Sequence, residues 1–342
     1  MGSPTSKAPQ PVPRPTLKAY EEGILKKDRF ILSRAITLIE SKLGADQLLG
    51  DELIQKLLPY TGRSIRLGIT GVPGVGKSTF IEAFGKTLTA MGKKVAVLAI
   101  DPSSRLTQGS ILGDKTRMDD LARDGNAFIR PTSAAHALGG VGDKTREAIL
   151  LCEAAGFDMV LVETVGVGQS EVSVRSMVDF FLLLLLGGAG DELQGLKKGI
   201  MEMADGLVIT KADSDNLNKA RQAQADYQHA LHFMPPAPSG WSPKVLVASA
   251  LEKKGLSEVW QMVDDFVTFT KANGHFENQR KEQNLEWFHS SLELNLKSEM
   301  LKSRLLHEQM LACEQKIMAG EVSPGIASRQ LISLFMHQVS GS

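Results

Sequence analysis

Gly71-Val72-Pro73-Gly74-Val75-Gly76-Lys77-Ser78 places glycine at both fixed positions of a G-x-x-x-x-G-K-[ST] string and closes it with Lys and Ser. That spacing can hold the phosphates of a nucleotide. The glycines let the backbone curl so that its N–H groups point inward at phosphate oxygens. A helix starting at the end of the string adds its positive N-terminal dipole. Lys77 is then expected to reach the β- and γ-phosphates, and the Ser78 hydroxyl to hold Mg²⁺. Thr79, the next residue, completes the candidate phosphate-binding set.

Two further strings suit the same chemistry. Glu163-Thr164-Val165-Gly166 puts an acid where P-loop enzymes support Mg²⁺, and a glycine three residues on can bring a backbone N–H near the γ-phosphate. Lys77 and Glu163 are therefore the candidate catalytic residues. Glu163 stands where Ras-type enzymes use Asp, and the bland alternative is an acid that merely ends a strand. In Thr210-Lys211-Ala212-Asp213, the Asp213 carboxylate can accept both N1–H and the exocyclic amine of guanine, a pair that adenine does not offer. The Lys211 stem can lie over the base. Thr210 stands where Asn is commoner, so one side-chain contact is expected to be lost. Ser249-Ala250-Leu251 follows the last strand and offers backbone N–H groups to guanine O6. The expected ligands are GTP, GDP and Mg²⁺. Asp101 and Asp114 are further candidate metal ligands beside Ser78 and Glu163, since Mg²⁺ takes hard oxygens; capping a turn is the alternative for Asp114. Val167 occupies the place of the water-orienting Gln of Ras-type enzymes, and Gln169 is shifted from it, so slow intrinsic hydrolysis raised by a partner is expected. His136 is isolated and reads as a loop residue rather than a ligand.

Such loops need strand ends to carry them. Short apolar runs occur at Ile65–Thr70, Val95–Ile100, Ala127–Arg130, Met159–Glu163, Phe180–Leu186, Gly206–Thr210 and Val245–Ala248. Helical stretches Ser78–Met91, Thr145–Ala155, Leu217–Leu231 and Leu256–Asn273 separate several of them. The alternation predicts an α/β fold: a doubly wound, mostly parallel sheet with helices on both faces, residues 61–272. Residues 17–60 carry apolar positions at helical spacing and predict two or three helices. Residues 1–16, rich in Pro and Ser, read as a disordered tail. Residues 273–342 read as a helical extension. Leu285, Phe288, Leu292, Leu296, Leu301, Leu305 and Met310 form an apolar stripe on one long polar helix, and Ser323-Pro324 starts a last helix running to about His337. These amphipathic helices need a partner face, on this domain or a second subunit.

Composition narrows the classes. Among 342 residues, 39 Lys plus Arg balance 39 Asp plus Glu, so no generally basic surface for nucleic acid is implied. The run Phe180–Leu186 is far short of the roughly 20 residues that span a bilayer, and no membrane association is expected. Cys152 and Cys313 lie far apart in expected helices and read as free thiols. No secretory signal or Arg-rich leader is read, so the cytoplasm is the expected compartment.

Taken together, these residues resemble the MeaB/ArgK-type GTPases, chaperones of adenosylcobalamin-dependent methylmalonyl-CoA mutase. The resemblance rests on Gly68-Ile69-Thr70-Gly71 through Ser78-Thr79, Ala99-Ile100-Asp101-Pro102-Ser103-Ser104 and Gly113-Asp114-Lys115-Thr116-Arg117-Met118. It rests also on Glu163-Thr164-Val165-Gly166-Val167-Gly168-Gln169-Ser170-Glu171, its most specific part, and Gly190-Asp191-Glu192-Leu193-Gln194-Gly195. It covers roughly residues 30–270. It implies Mg²⁺ ligation by Ser78 with Asp101, Asp114 and Glu163 around the metal, and a nucleotide-sensing switch at Asp191–Lys198. It implies a homodimer joined by the C-terminal helices, and GTP-gated loading, protection or repair of the mutase's cobalamin. Pro131-Thr132-Ser133-Ala134-Ala135-His136-Ala137-Leu138-Gly139-Gly140 departs from the family, which usually has smaller, more polar residues before Leu-Gly-Gly. There is no Asp-x-His-x-x-Gly cobalamin-ligand string. A P-loop kinase acting on a small molecule or transport protein is the alternative, though no phosphoryl-acceptor feature is found.

Overall fold

A computed structural model describes residues 14–101, 118–133, 141–164, 170–188 and 198–340. Asp114, His136, Gly166, Val167, Gln169, residues 191–197 of the switch segment and residues 1–13 of the tail lie outside the described residues.

Seven strands form one sheet: β1 (Ile65–Gly71), β2 (Val95–Asp101), β3 (Ala127–Ser133), β4 (Met159–Thr164), β5 (Phe180–Leu186), β6 (Gly206–Thr210) and β7 (Lys244–Val247). Their order is β3-β2-β4-β1-β5-β6-β7 and every pairing is parallel. Parallel strands buried on both faces read as unbroken apolar runs, and Phe180–Leu186 is the extreme case. Side chains alternate across the sheet. Leu67, Ile69, Met159, Leu161, Phe180, Leu182 and Leu184 enter one core, with Phe80 and Phe84 of α4 (Lys77–Ala90) and Val259, Val263 and Phe266 of a later helix (Leu256–Ala272). Their neighbours Val160, Val162 and Phe181 enter the core on the opposite face.

That second core includes the N-terminal helices α1 (Leu17–Leu25), α2 (Arg29–Ile39) and α3 (Gly44–Leu57), so the predicted N-terminal segment shares a core with the sheet, packed against the helix Val141–Ala154. Thr16, assigned to the tail on composition, accepts a 3.3 Å hydrogen bond from Ala19 N and caps α1. Between the strands lie α5 (Asp119–Ala122), α6 (Val141–Ala154), α7 (Ser170–Arg175), α8 (Lys198–Met203) and α9 (Leu217–Leu231), and α10 (Leu256–Ala272) follows β7. Cys152, in α6, is buried and Cys313 partly so; both are free thiols.

The C-terminal helices depart from the expected single rod. They are α11 (His275–Lys302), α12 (Arg304–Met318) and α13 (Pro324–Ser340). Ser303 turns extended at φ −74° and ψ 116°, and its Oγ accepts from Leu306 N at 3.4 Å, starting α12. Leu305 and Met310 therefore lie on a different helix from Leu285 and Leu296. Ser303 is an N-cap residue in mid-stripe, and the cap outweighs the continuous apolar spacing. The last helix starts as expected, with Pro324 first and Ser323 Oγ accepting from Ile326 N. Arg280 fastens α11 to the body. Its guanidinium donates to both Asp179 carboxylate oxygens at 2.7 Å, to Gly62 O at 2.7 Å and to Ser64 O at 2.6 Å.

Candidate functional site

The candidate phosphate loop leaves β1 at Gly71 and enters α4 at Lys77. Gly71 is required by space: a Cβ there would sit 2.6 Å from Leu184 O of β5. Gly76, at φ 94°, caps α4 in the left-handed region that glycine adopts most readily. Val75 is fully buried between them and pins the loop to the core.

Lys77 folds back over this loop and donates to Gly71 O at 2.7 Å. Burial lowers its pKa, while the carboxylates of Glu163 and Glu171 pull the other way. Glu163 lies on β4 beside Ile69 of β1 and Ala99 of β2, and is buried. The Ser78 hydroxyl donates to Glu163 Oε1 at 3.3 Å. A hydroxyl and a carboxylate this close at a helix N-terminus are two hard oxygen donors, which fits the chemistry of Mg²⁺. Ser78, with Glu163 directly or through water, would hold the ion, which would offset charge on the phosphate oxygens. The Asp101 backbone ends β2 at the same sheet edge, paired with Ser133. The Asp101 side chain and all of Asp114 lie outside the described residues.

The candidate base loop follows β6. Ser249 Oγ donates to the Asp213 carboxylate and accepts from Glu252 N at 2.9 Å. Glu252 in turn accepts from Ser214 N at 2.9 Å and Ser214 Oγ at 2.6 Å, so the two loops are stitched together. Hydrogen bonds from the Lys254 ammonium and from Ser214 hold the Glu252 carboxyl down at about 2. Sequence reasoning passed over Glu252. Its signal was the S-x-x-E spacing from Ser249, which places the Glu N–H within reach of the Ser oxygen. Ser249 N–H already donates to Lys254 O at 3.0 Å. Of the Ser249-Ala250-Leu251 trio, only the Ala250 and Leu251 N–H groups thus donate to no described residue.

Two side chains join the base loop to the phosphate loop. Lys211, at φ 54°, reaches across to donate to Gly74 O at 2.8 Å. Thr210 is buried, and its hydroxyl lies 2.8 Å from Val75 O and 3.1 Å from Leu185 O, its single proton serving the nearer. The strand end thus brings the Thr210 hydroxyl under the phosphate loop. Pro73 and Thr79 are exposed and Val72 is half-buried at the mouth of the same edge.

A family model of the methylmalonyl Co-A mutase-associated GTPase MeaB matches residues 32–304. A putative GTPase of Caulobacter vibrioides is 47% identical over 324 residues, covering 95% of this chain and 99% of its own. The GTPase ArgK of Escherichia coli is 46% identical, covering 94% and 98%. The mitochondrial methylmalonic aciduria type A homolog of Mus musculus is 43% identical, covering 92% and 78%. The crystal structure of a LAO/AO transport system kinase superimposes with a TM-score of 0.75 at 38% identity, covering 96% of this chain and all of that one. With a phosphate loop, an acid-tipped β4 and a carboxylate base loop on one parallel sheet, the chain belongs to the MeaB family of P-loop GTPases.

Proposed function

We propose that this protein binds and hydrolyses GTP and uses the cycle to gate cobalamin loading, protection or repair of methylmalonyl-CoA mutase. The observation that carries the GTP reading is the single sheet edge on which Lys77, Ser78, Glu163 and Asp213 meet, tied across by Thr210 and Lys211. In this reading Gly71 to Thr79 bind the phosphates, and Lys77 and Glu163 serve hydrolysis. Ser78, Asp101, Asp114 and Glu163 surround Mg²⁺, while Lys211, Asp213, Ser249, Ala250 and Leu251 form the guanine pocket. The mutase is the client because the family is described by its association with that enzyme. Contacts from the γ-phosphate and Mg²⁺ hold switch segments in one arrangement, and hydrolysis releases them. Intrinsic turnover is slow and the client raises it. The exposed apolar residues Leu285, Phe288, Leu292 and Leu296 of α11 support a homodimer joined through the C-terminal helices. The expected cytoplasmic compartment belongs to the same proposal; among the described residues no helix is long and apolar enough to cross a membrane.

A kinase is the competing reading, prompted by the relative whose crystal structure carries that name. A carboxylate built into a base-selective loop favours a GTPase instead. The deciding measurement is GTP turnover with and without methylmalonyl-CoA mutase, with ATP as control. Turnover restricted to GTP and raised several-fold by the mutase supports the proposal. Turnover indifferent to the mutase removes the client, and transfer of labelled γ-phosphate to an acceptor other than water removes the GTPase reading.

A further inference from the structure

A cavity of about 520 Å³ lies between α8, the end of α9 with the segment that follows it, and the first turns of α11. Met201, Leu231, Met234 and Trp241 contribute apolar wall. Glu202 of α8 and Glu282 and Glu286 of α11 form an exposed rim, and none of these three carboxylates bonds to a described residue. Arg175 is the one Arg or Lys among the described lining residues, and Asp205 neutralises it through bonds of 2.8 and 3.2 Å.

Gln283 also lies in the wall. It is 6% exposed, and its Nε2 donates to Val178 O at 2.8 Å. Its Oε1 is enclosed, with no hydrogen-bond partner among the described residues. Three unpaired carboxylates thus surround an apolar floor. Anionic lipid and nucleic acid are repelled by such a rim. A lone small cation gains little from exposed carboxylates, whereas several linked cations meet them together.

We infer that this cavity docks an extended segment of a partner protein in which Arg or Lys side chains alternate with apolar ones. The cations meet Glu202, Glu282 and Glu286, and the apolar side chains fill the floor. The apolar stripe Leu285, Phe288 and Leu292 lies roughly 140–180° around α11 from Gln283, so docking leaves that stripe free for another interface. Two wall elements also continue the nucleotide end of the chain: α7 follows residues 165–169, and α8 follows residues 189–197. The inference does not depend on the identity of the client or on GTP hydrolysis.

The test is fluorescence anisotropy with the full-length protein and a fluorescein-labelled, end-capped Leu-Arg-Leu-Arg-Leu peptide. Saturable binding is expected, weakened about tenfold or more in the double variant E282Q/E286Q, since each lost carboxylate removes a charge-assisted contact. E293Q/E314Q, which removes two carboxylates elsewhere on the C-terminal helices, should stay within about twofold of the parent. Nucleotide affinity unchanged in both variants establishes that they are folded. The inference is overturned by absence of saturable binding, by equal affinity in E282Q/E286Q, by equal binding of the Leu-Glu-Leu-Glu-Leu peptide, or by agmatine competing as tightly as unlabelled peptide.

Discussion

Replacing Thr210 by Val tests whether the base loop and the phosphate loop act as one unit. The substitution keeps the volume and removes the hydroxyl. Val75 O then loses the one donor that any described residue offers it, in a place where both residues are buried. An orphaned buried carbonyl costs about 1–3 kcal/mol. If the loop relaxes to recover that energy, nucleotide must draw it back on binding, which weakens affinity by about 5-fold to 150-fold. The assay is displacement of a fluorescent GDP analogue, with ATP and GTP as competitors, beside urea unfolding. Thr210→Val should lose affinity for GTP while keeping its preference over ATP. Thr210→Ser keeps the hydroxyl and should stay near the parent. Asp213→Ala should do the reverse of Thr210→Val, relaxing base choice. A Thr210→Val protein with parental affinity, or one with altered base choice, would refute the idea that this hydroxyl sets the loop.

Arg280→Met should destabilise the protein by about 3–5 kcal/mol in urea unfolding, because it leaves the buried Asp179 carboxylate without its bidentate partner. A loss under about 1 kcal/mol would show that α11 is not held through this pair. Burial pushes Asp205 up to about 6 against the pull of Arg175 and Phe181 N. With a folded value above the ordinary 3.8, its contribution to stability is full below about pH 4 and is lost as pH rises through 6. A carbon-13 titration of the Asp205 carboxyl should find a midpoint near 6. A midpoint below the ordinary value would mean that the ion pair, not burial, dominates.

All seven strands were readable because parallel strands buried on both faces leave little choice of residue, and Leu217–Leu231 emerged with the boundaries read from spacing. The phosphate loop was readable because its glycines answer to backbone geometry, as the near-collision of a Gly71 Cβ with Leu184 O makes plain. What escaped were contacts between segments distant in sequence. Thr210 looked like a weakened Asn, since nothing in a string of four letters tells that Val75 O, 135 residues away, lies within reach. Nor does the string around Lys211 tell that its ammonium reaches Gly74 O, 137 residues away. The break at Ser303 was missed for the opposite reason: its signal is local, one capping residue, and the apolar periodicity around it spoke louder.

The position of β1 at the middle of the sheet bears on synthesis. Its neighbours are β4, from residue 159, and β5, from residue 180; no adjacent strand in the chain supports it. A nascent chain therefore carries the whole phosphate string long before it can shape it, since Leu184, which closes over Gly71, is translated 113 residues later. Fragments released before β5 should have no affinity for nucleotide despite an intact motif. On the ribosome, the first moment at which GTP can meet a formed loop comes only after β5 has left the exit tunnel.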